Sequence, residues 1–378
     1  MKTGQLPCIE NFEQRADYVE IGIVKYPNYL ESSLFGMTEL FTVANRFAGS
    51  HKDKQHSVIR VTHWQASPTD RTRVELVFDS HPRVSRGVPR ILISPPSITK
   101  PISREAAAPY VNWLVRLHGR GSIVASVCGG AFVLAEAKLL NGRTVTTHWF
   151  YADEFRERYP AVVVNPDKLI IDDGDIITAG GMTAWTDMGI FLIRRLLGPT
   201  VMLETARYML VDPSGREQSY YGSFLPHLHH GDPEILKVQH WLQKNGCRNV
   251  NLTKMAQTAG LEVRTFIRRF KTATSLRPTE YCQHLRIGKA QEILERTKQS
   301  VERISWAVGY EDPASFRRIF HKIVGLSPSE YRRRFSVGSD KGNLERVLES
   351  REVMSLESLP SSDALAEPEA LGWSLKGA

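Results

Sequence analysis

From residue 18 to about 211 the chain alternates short, continuously apolar segments with amphipathic ones. Tyr18-Val19-Glu20-Ile21-Gly22-Ile23-Val24 reads as a first strand, 34–47 as a helix and 90–94 as a second, buried strand. Residues 109–117 are helical, and Ser122-Ile123-Val124-Ala125-Ser126-Val127 is an apolar strand with no polar face. Leu169-Ile170-Ile171 and Ile176-Ile177-Thr178 flank a turn at Asp172-Asp173-Gly174-Asp175, and 184–197 forms a closing helix. Strands that are apolar on both sides belong in a sheet covered on both faces. The pattern therefore predicts an α/β fold around a mostly parallel sheet with helices on each side.

Beyond residue 235 the strand signal disappears and an internal repeat takes over. Leu276-Arg277-Pro278-Thr279-Glu280-Tyr281 returns fifty positions later as Leu326-Ser327-Pro328-Ser329-Glu330-Tyr331. Phe266 and Phe270 return as Phe316 and Phe320, and Met255…Ala259-Gly260-Leu261 has a counterpart in Ile304…Val308-Gly309-Tyr310. Each copy reads as a short helix, a glycine turn and a second helix, which is helix-turn-helix grammar. Asn251 and Ser300 stand where the first helices need caps, and Asp312-Pro313 opens the last second helix. The phenylalanines, four apart, mark the core stripe of each second helix. Its outer face carries Arg264, Arg268 and Lys271 in the first copy, and Arg317, Arg318 and His321 in the second. Between the copies, 278–297 has the pattern of one unbroken helix of about 30 Å, close to the ~34 Å that separates successive major grooves.

Charge strengthens this picture only when it is divided along the chain. The whole chain carries +8. Residues 235–335 hold twenty Lys/Arg against eight Asp/Glu, a net +12, while 336–378 hold four against eight. All the excess positive charge thus sits on the repeat, as expected of a surface that neutralises phosphates. The four cysteines (Cys8, Cys128, Cys247, Cys282) are far apart and form no CxxC pair, which suits a reducing compartment and no zinc site. No apolar run approaches membrane-spanning length, and the first residues lack a secretory apolar core. A cytoplasmic location without membrane attachment is expected.

The chemistry of the first region centres on Ser126-Val127-Cys128-Gly129-Gly130-Ala131. A strand enters, Cys128 sits at the corner and glycines open a helix, as in a nucleophile elbow. A helix N-terminus would lower the thiol pKa, and the amides of Gly129 and Gly130 would bind an anion. His148, with Trp149 beside it, follows twenty residues later as a partner for the thiol. His227, His229 and His230 cluster near the domain boundary, but no Cys or carboxylate accompanies them at ligand spacing, so a solvated linker is expected and no metal.

Residues 235–335 resemble the AraC/XylS-type DNA-binding domain, carried by Ile304-Ser305-Trp306-Ala307-Val308-Gly309-Tyr310 through Phe316-Arg317-Arg318-Ile319-Phe320 and Gly325-Leu326-Ser327-Pro328. The resemblance implies base-edge contacts from Arg264, Ile267 and Arg268 in the first copy and from Ala314, Arg317 and Arg318 in the second. Arginine suits guanine, whereas Ile267 and Ala314 offer only apolar contact. The cysteine corner, Thr146-Thr147-His148-Trp149 and Thr178-Ala179-Gly180-Gly181-Met182-Thr183 resemble the PfpI/ThiJ-type, class I glutamine-amidotransferase-like domain, as fused to AraC-type domains in GlxA-like regulators. That implies a flavodoxin-like sheet. It places Ser33 where catalytic relatives carry an acid.

These readings divide the chain into an extension (1–17), an α/β sensor (18–211), a linker (212–234), an all-α domain of two helix-turn-helix units joined by a long helix (235–335) and a disordered tail (336–378). The function expected is a sequence-specific transcription regulator. A small nitrogenous effector would be held by Ser33, Cys128, Gly129, Gly130, His148 and Trp149, with Lys271 and His321 adding to the DNA surface. The expected partners are operator duplex, RNA polymerase and a second copy of the chain, with no cofactor. The alternative is a cysteine-dependent amidase or glyoxalase-like enzyme, using Cys128 and His148, tethered to DNA.

Overall fold

The computed structural model describes residues 18–51, 57–70, 72–85, 87–213, 216–222, 224–247 and 250–337. The proposed extension 1–17, and the proposed tail from 338 onward, lie outside the described residues.

The first domain runs β1 (Tyr18–Lys25), α1 (Glu31–Ser50), β2 (Val58–Ala66), β3 (Val74–Asp79), β4 (Ile91–Ser94), α2 (Arg104–His118), β5 (Ile123–Val127), α3 (Ala131–Glu136), β6 (Thr144–Val145), α4 (Ala152–Arg158), β7 (Val163–Val164), β8 (Ile170–Asp172), β9 (Ile176–Ala179), α5 (Trp185–Leu197) and α6 (Pro199–Met209). Seven strands form one sheet in the order β3-β2-β1-β4-β5-β9-β8. The five central strands are parallel, and the two edges, β3 and β8, run antiparallel. Side chains alternate across the pleat. Ile91 and Ile93 face the core under α1, α5 and α6, while Leu92 faces the one under α2, α3 and α4. Both faces are covered, as the apolar strands required.

Two strands of the seven-stranded sheet, β2 and β3, escaped the sequence pattern, as did the short pair β6 and β7. In β2, Arg60 and His63 interrupt the apolar run, yet both are buried. Arg60 is only 1% exposed and is held in a fork by Asp79 of β3 (Nε–Oδ1 2.9 Å, Nη2–Oδ2 2.5 Å). A charge hidden by its ion pair reads as a surface residue in sequence.

The second domain contains α7 (Pro233–Asn245), α8 (Leu252–Ala259), α9 (Val263–Thr274), α10 (Pro278–Arg296), α11 (Val301–Ala307), α12 (Pro313–Val324) and α13 (Pro328–Phe335). The caps fall where the residues predict them. Asn251 accepts from Lys254 N, Ser300 from Arg303 N, and Asp312 from the amides of Ala314 and Ser315. Gly260 and Gly309 take positive φ (65° and 88°) at the two inter-helix turns. Phe266 and Phe270 anchor one core, and Phe316 and Phe320 a second. α10 gives Tyr281 and Cys282 to the first core and Ile287, Ala290 and Leu294 to the second, so one 19-residue helix belongs to both units.

Candidate DNA interface and ligand site

On α9 and α12 the two phenylalanines of each helix turn inward, which leaves the opposite face exposed. Arg264, Arg268 and Lys271 on α9 and Ala314, Arg317, Arg318 and His321 on α12 are all exposed. Ile267 is half-buried and packs against the first core, so only part of its side chain is presented. Among the described residues the side chains of Arg264 and Arg268 form no hydrogen bond or ion pair. Arg317, by contrast, is paired with Glu302 of α11, and Arg318 reaches Ser315 Oγ at 3.3 Å. The next arginine on α9, Arg269, faces elsewhere. It grips Asp232, the N-cap of α7, with two bonds of 2.9 and 2.7 Å, and this guanidinium holds the Asp232 carboxyl below its usual pKa. Arg269 therefore positions α9 against α7, while its neighbours remain available to phosphates and bases.

The cysteine corner has the expected shape and different chemistry. Cys128 directly follows β5 with φ of 53°, a strained angle for a residue other than glycine. Its side chain is completely buried, and burial pushes the thiol pKa up to about 12 despite a hydrogen bond from the Gly129 amide. The lowered pKa expected from the helix N-terminus is thus corrected, because desolvation outweighs the local dipole. Gly129 and Gly130 are packed just as closely. A Cβ on Gly129 would lie 2.1 Å from Ser97 Oγ, and one on Gly130 the same distance from Ser94 O. Ser33 is buried and donates to Leu30 O at 2.6 Å.

His148 does not pair with the thiol. Its Nδ1 accepts from Phe150 N at 3.1 Å, capping the single turn Trp149–Tyr151. Among the described residues no hydrogen bond joins it to Cys128. Burial lowers its pKa, which favours the neutral ring. Of the six residues expected to line one pocket, Ser33, Cys128, Gly129 and Gly130 are sealed inside the domain and His148 is half-buried. Trp149 alone lines the cavity described next.

That cavity, of about 520 Å³, lies between the two domains. Trp149, Glu157 and Asp167 stand on its α/β side, and Tyr281, His284 and Val324 on its helical side. The segment joining the domains forms one wall; Arg216 ties it to Asp187, Glu217 ties it to Lys168 and Leu169 N, and its most buried anchor is Gln218. Only 2% exposed, it donates from Nε2 to Thr146 Oγ1 (2.9 Å), Thr147 O (2.9 Å) and Lys168 O (3.0 Å), and accepts from Trp149 N at 3.2 Å. The next residues meet the other domain. Tyr220 packs against Gly325, the C-cap of α12, with Arg334 above its ring, and Tyr221 meets Phe335 edge-on.

The expected solvated linker is corrected at these positions. Besides Gln218, His227 pairs with Glu157 at 3.0 Å and His230 with Gln239 at 2.7 Å. Polar residues between proline and glycine signals read as loop, and only the aromatic pair Tyr220-Tyr221 hinted at packing.

Comparison with known proteins finds a family likeness in part of each domain. Residues 98–195 match the DJ-1/PfpI family, and residues 255–334 a helix-turn-helix domain family. The HTH-type transcriptional regulator CdhR of Pseudomonas aeruginosa is 28% identical over 228 residues, 57% of this chain and 65% of CdhR. The regulator GlxA of Rhizobium meliloti is 28% identical over 214 residues, 56% of this chain and 65% of GlxA. GbdR of Pseudomonas aeruginosa is 23% identical over 305 residues, 80% and 81% of the two chains. The chain thus spans just under two thirds of the length of CdhR and of GlxA.

Proposed function

We propose that this chain, which joins a DJ-1/PfpI domain to an AraC-type helix-turn-helix domain, is a sequence-specific transcription regulator that responds to a small molecule. One observation carries the reading. Two capped helix-turn-helix units share α10, and each presents an exposed basic face on its second helix. Arg264, Arg268, Arg317 and Arg318 reach base edges, Lys271 and His321 the backbone, and Ala314 and part of Ile267 give apolar contact. Arg317 must first leave Glu302, an exposed pair that is cheap to break.

The enzyme alternative has less support. A nucleophile needs a thiolate and access, and Cys128 is buried, protonated and unpaired with His148. The joining segment supports the regulatory part of the reading. Gln218 is anchored beside Trp149, and Tyr220, two residues on, rests on the end of α12. A change at Trp149 is therefore passed through two residues to the second recognition helix. Assembly as a homodimer through 18–211, contact with RNA polymerase and a cytoplasmic location complete the proposal. Among the described residues no helix is long and apolar enough to cross a membrane.

Anisotropy titration of the full chain against operator-containing duplex tests the reading. Affinity should fall steeply with salt. Arg268→Ala and Arg318→Ala should each cost ~1–3 kcal/mol and relax preference at one base pair. Equal weakening on every sequence would make both arginines phosphate contacts only, and absence of sequence preference in the parent chain would sink the proposal.

A further inference from the structure

We propose that Cys247 and Cys282 form an oxidation site in the first helix-turn-helix unit, where hydrogen peroxide converts the two thiols to a disulfide that pins the end of α7 to α10. The inference is independent of the regulator reading above and is tested without DNA.

The two cysteines stand 35 residues apart in sequence and meet in the fold. Cys247 follows the C-terminal end of α7, and Cys282 lies in the second turn of α10. Both are free thiols in the core that holds Phe266, Phe270 and Tyr281. The Cys247 thiol donates to the sulfur of Cys282, with Leu242 O as its other acceptor at 3.8 Å. Arg286, one turn beyond Cys282 on α10, donates two bonds to Cys247 O (3.2 and 2.6 Å). That clamp holds the Cys247 backbone over the face of α10 that carries Cys282. Cys247 also has φ of 53°, an angle that suits glycine and is uncommon for a residue with a side chain. Filling volume in the core does not call for a thiol at such a position.

The surroundings give the two sulfurs different parts. The hydrogen bond from Cys247, aided by the Arg286 guanidinium, holds the Cys282 thiol below its usual pKa against the effect of burial. The same contact, with burial, pushes Cys247 up. A thiolate is the nucleophile, so Cys282 reacts first. It also has the better access, at 7% exposed against 0% for Cys247. Attack of the Cys282 thiolate on one peroxide oxygen breaks the O–O bond, leaving a sulfenic acid and, after protonation, one water. Cys247 then gives up its proton and attacks the sulfenic sulfur. The S–S bond forms as the S–O bond breaks, and the oxygen leaves as a second water. Two thiols are thus oxidised by two electrons, and one peroxide is reduced to two waters. Cys128, in the other domain, has no such partner among the described residues.

The bridge would act on the first unit alone. At its other end α7 is already tied to α9 through Asp232 and Arg269. A covalent link from Cys247 to α10 joins α7, α9 and α10 into one block, and the loop it closes contains all of α8 and α9. A disulfide of this kind in a reducing compartment forms transiently, as a response to oxidant.

The full chain is treated with hydrogen peroxide or kept under thiol reductant, quenched with N-ethylmaleimide without denaturant, and mapped by peptide mass spectrometry. Peroxide should yield a linked Cys247–Cys282 peptide pair, lighter by two hydrogens and separated again by reductant. The helical-domain transition of the oxidised chain should rise by about 5 °C or more in calorimetry and return on reduction. In Cys247→Ser the Cys282 sulfenic acid lacks its resolving thiol and should be captured by dimedone, whereas Cys282→Ser should leave Cys247 unmodified. Peroxide that leaves both cysteines as thiols overturns the proposal, as does linkage that appears only in urea. So does a bridge that uses Cys8 or Cys128 in place of either. Cys282 sulfinic acid beside a free Cys247 in the parent chain would also sink it, since the sulfurs would then be too poorly aligned to join.

Discussion

Gln218→Ala tests how firmly the joining segment is locked to the α/β domain. The side chain touches four polar groups, but the loss is not fourfold. Lys168 O keeps the single Thr146 hydroxyl hydrogen at 2.8 Å, with Thr147 O a weaker second acceptor at 3.3 Å. The uncompensated group is the Trp149 amide, whose bond to Gln218 Oε1 is 3.2 Å. Leaving one buried N–H without a partner costs ~1–3 kcal/mol. Gln218 also lines the cavity, so water can enter the vacated space and hold the cost to the lower half of that range. For a domain of this size that lowers the first-domain melting transition by about 2–8 °C. Differential scanning calorimetry on the full chain measures it. Gln218→Glu sharpens the result, because it preserves volume and replaces the donating Nε2 by an acceptor facing the carbonyls of Thr147 and Lys168. If hydrogen bonds fix the segment, Glu is worse than Ala at pH 8. A glutamate variant milder than the alanine one would show that filled volume is what matters, and the latch argument would fail.

Four further outcomes follow from particular groups. Asp79→Ala leaves Arg60 buried without its partner and should cost about 3–5 kcal/mol, read by urea unfolding of the first domain. His63 is buried between Thr38 and Phe78, and burial, with Lys25 adding to it, lowers its pKa to about 4. The unfolded chain then binds the extra proton between pH 6.5 and 4, so stability should fall as pH drops through that window, and His63→Gln should flatten the fall in a pH series of melts. Because its thiol is protonated and sealed, Cys128 should resist iodoacetamide in the native chain at pH 8 and react on unfolding, by peptide mass spectrometry; rapid native labelling would revive the enzyme reading. Gly130→Ala places a Cβ against Ser94 O and should abolish soluble expression, whereas Gly142→Ala, whose Cβ meets nothing, should cost only its backbone strain.

The helix-turn-helix half was legible in sequence because its determinants are local. Caps, glycine turns and phenylalanines four apart each act within a helix or between neighbours, so Asn251, Ser300, Asp312 and the paired phenylalanines fell where the pattern placed them. The central strands were legible for a similar reason: continuous apolar runs admit few other environments. What stayed hidden depends on distant partners. Arg60 reads as a surface charge until Asp79 is known to face it. Gln218 reads as loop until three carbonyl or hydroxyl oxygens and an amide converge on it. At Cys128 the local geometry was read correctly, but the pKa follows from desolvation by the whole domain, which no local motif encodes. The six-residue pocket failed for the same reason, since proximity along a motif does not establish access to solvent.

The sharing of α10 between two hydrophobic cores has a consequence for the duplex. A helix packed into one core by its first turns and into the other by its later ones neither stretches nor bends at small cost, so the phasing of the two second helices is fixed in the protein. On the proposed function, any mismatch with B-form pitch then falls on the nucleic acid, which would have to curve or twist to bring both half-elements into register. Base pairs between the half-elements, touched by no side chain, would still alter affinity through their stiffness. Five extra base pairs there would turn one half-element to the far side of the double helix, where a rigid protein has no means of following.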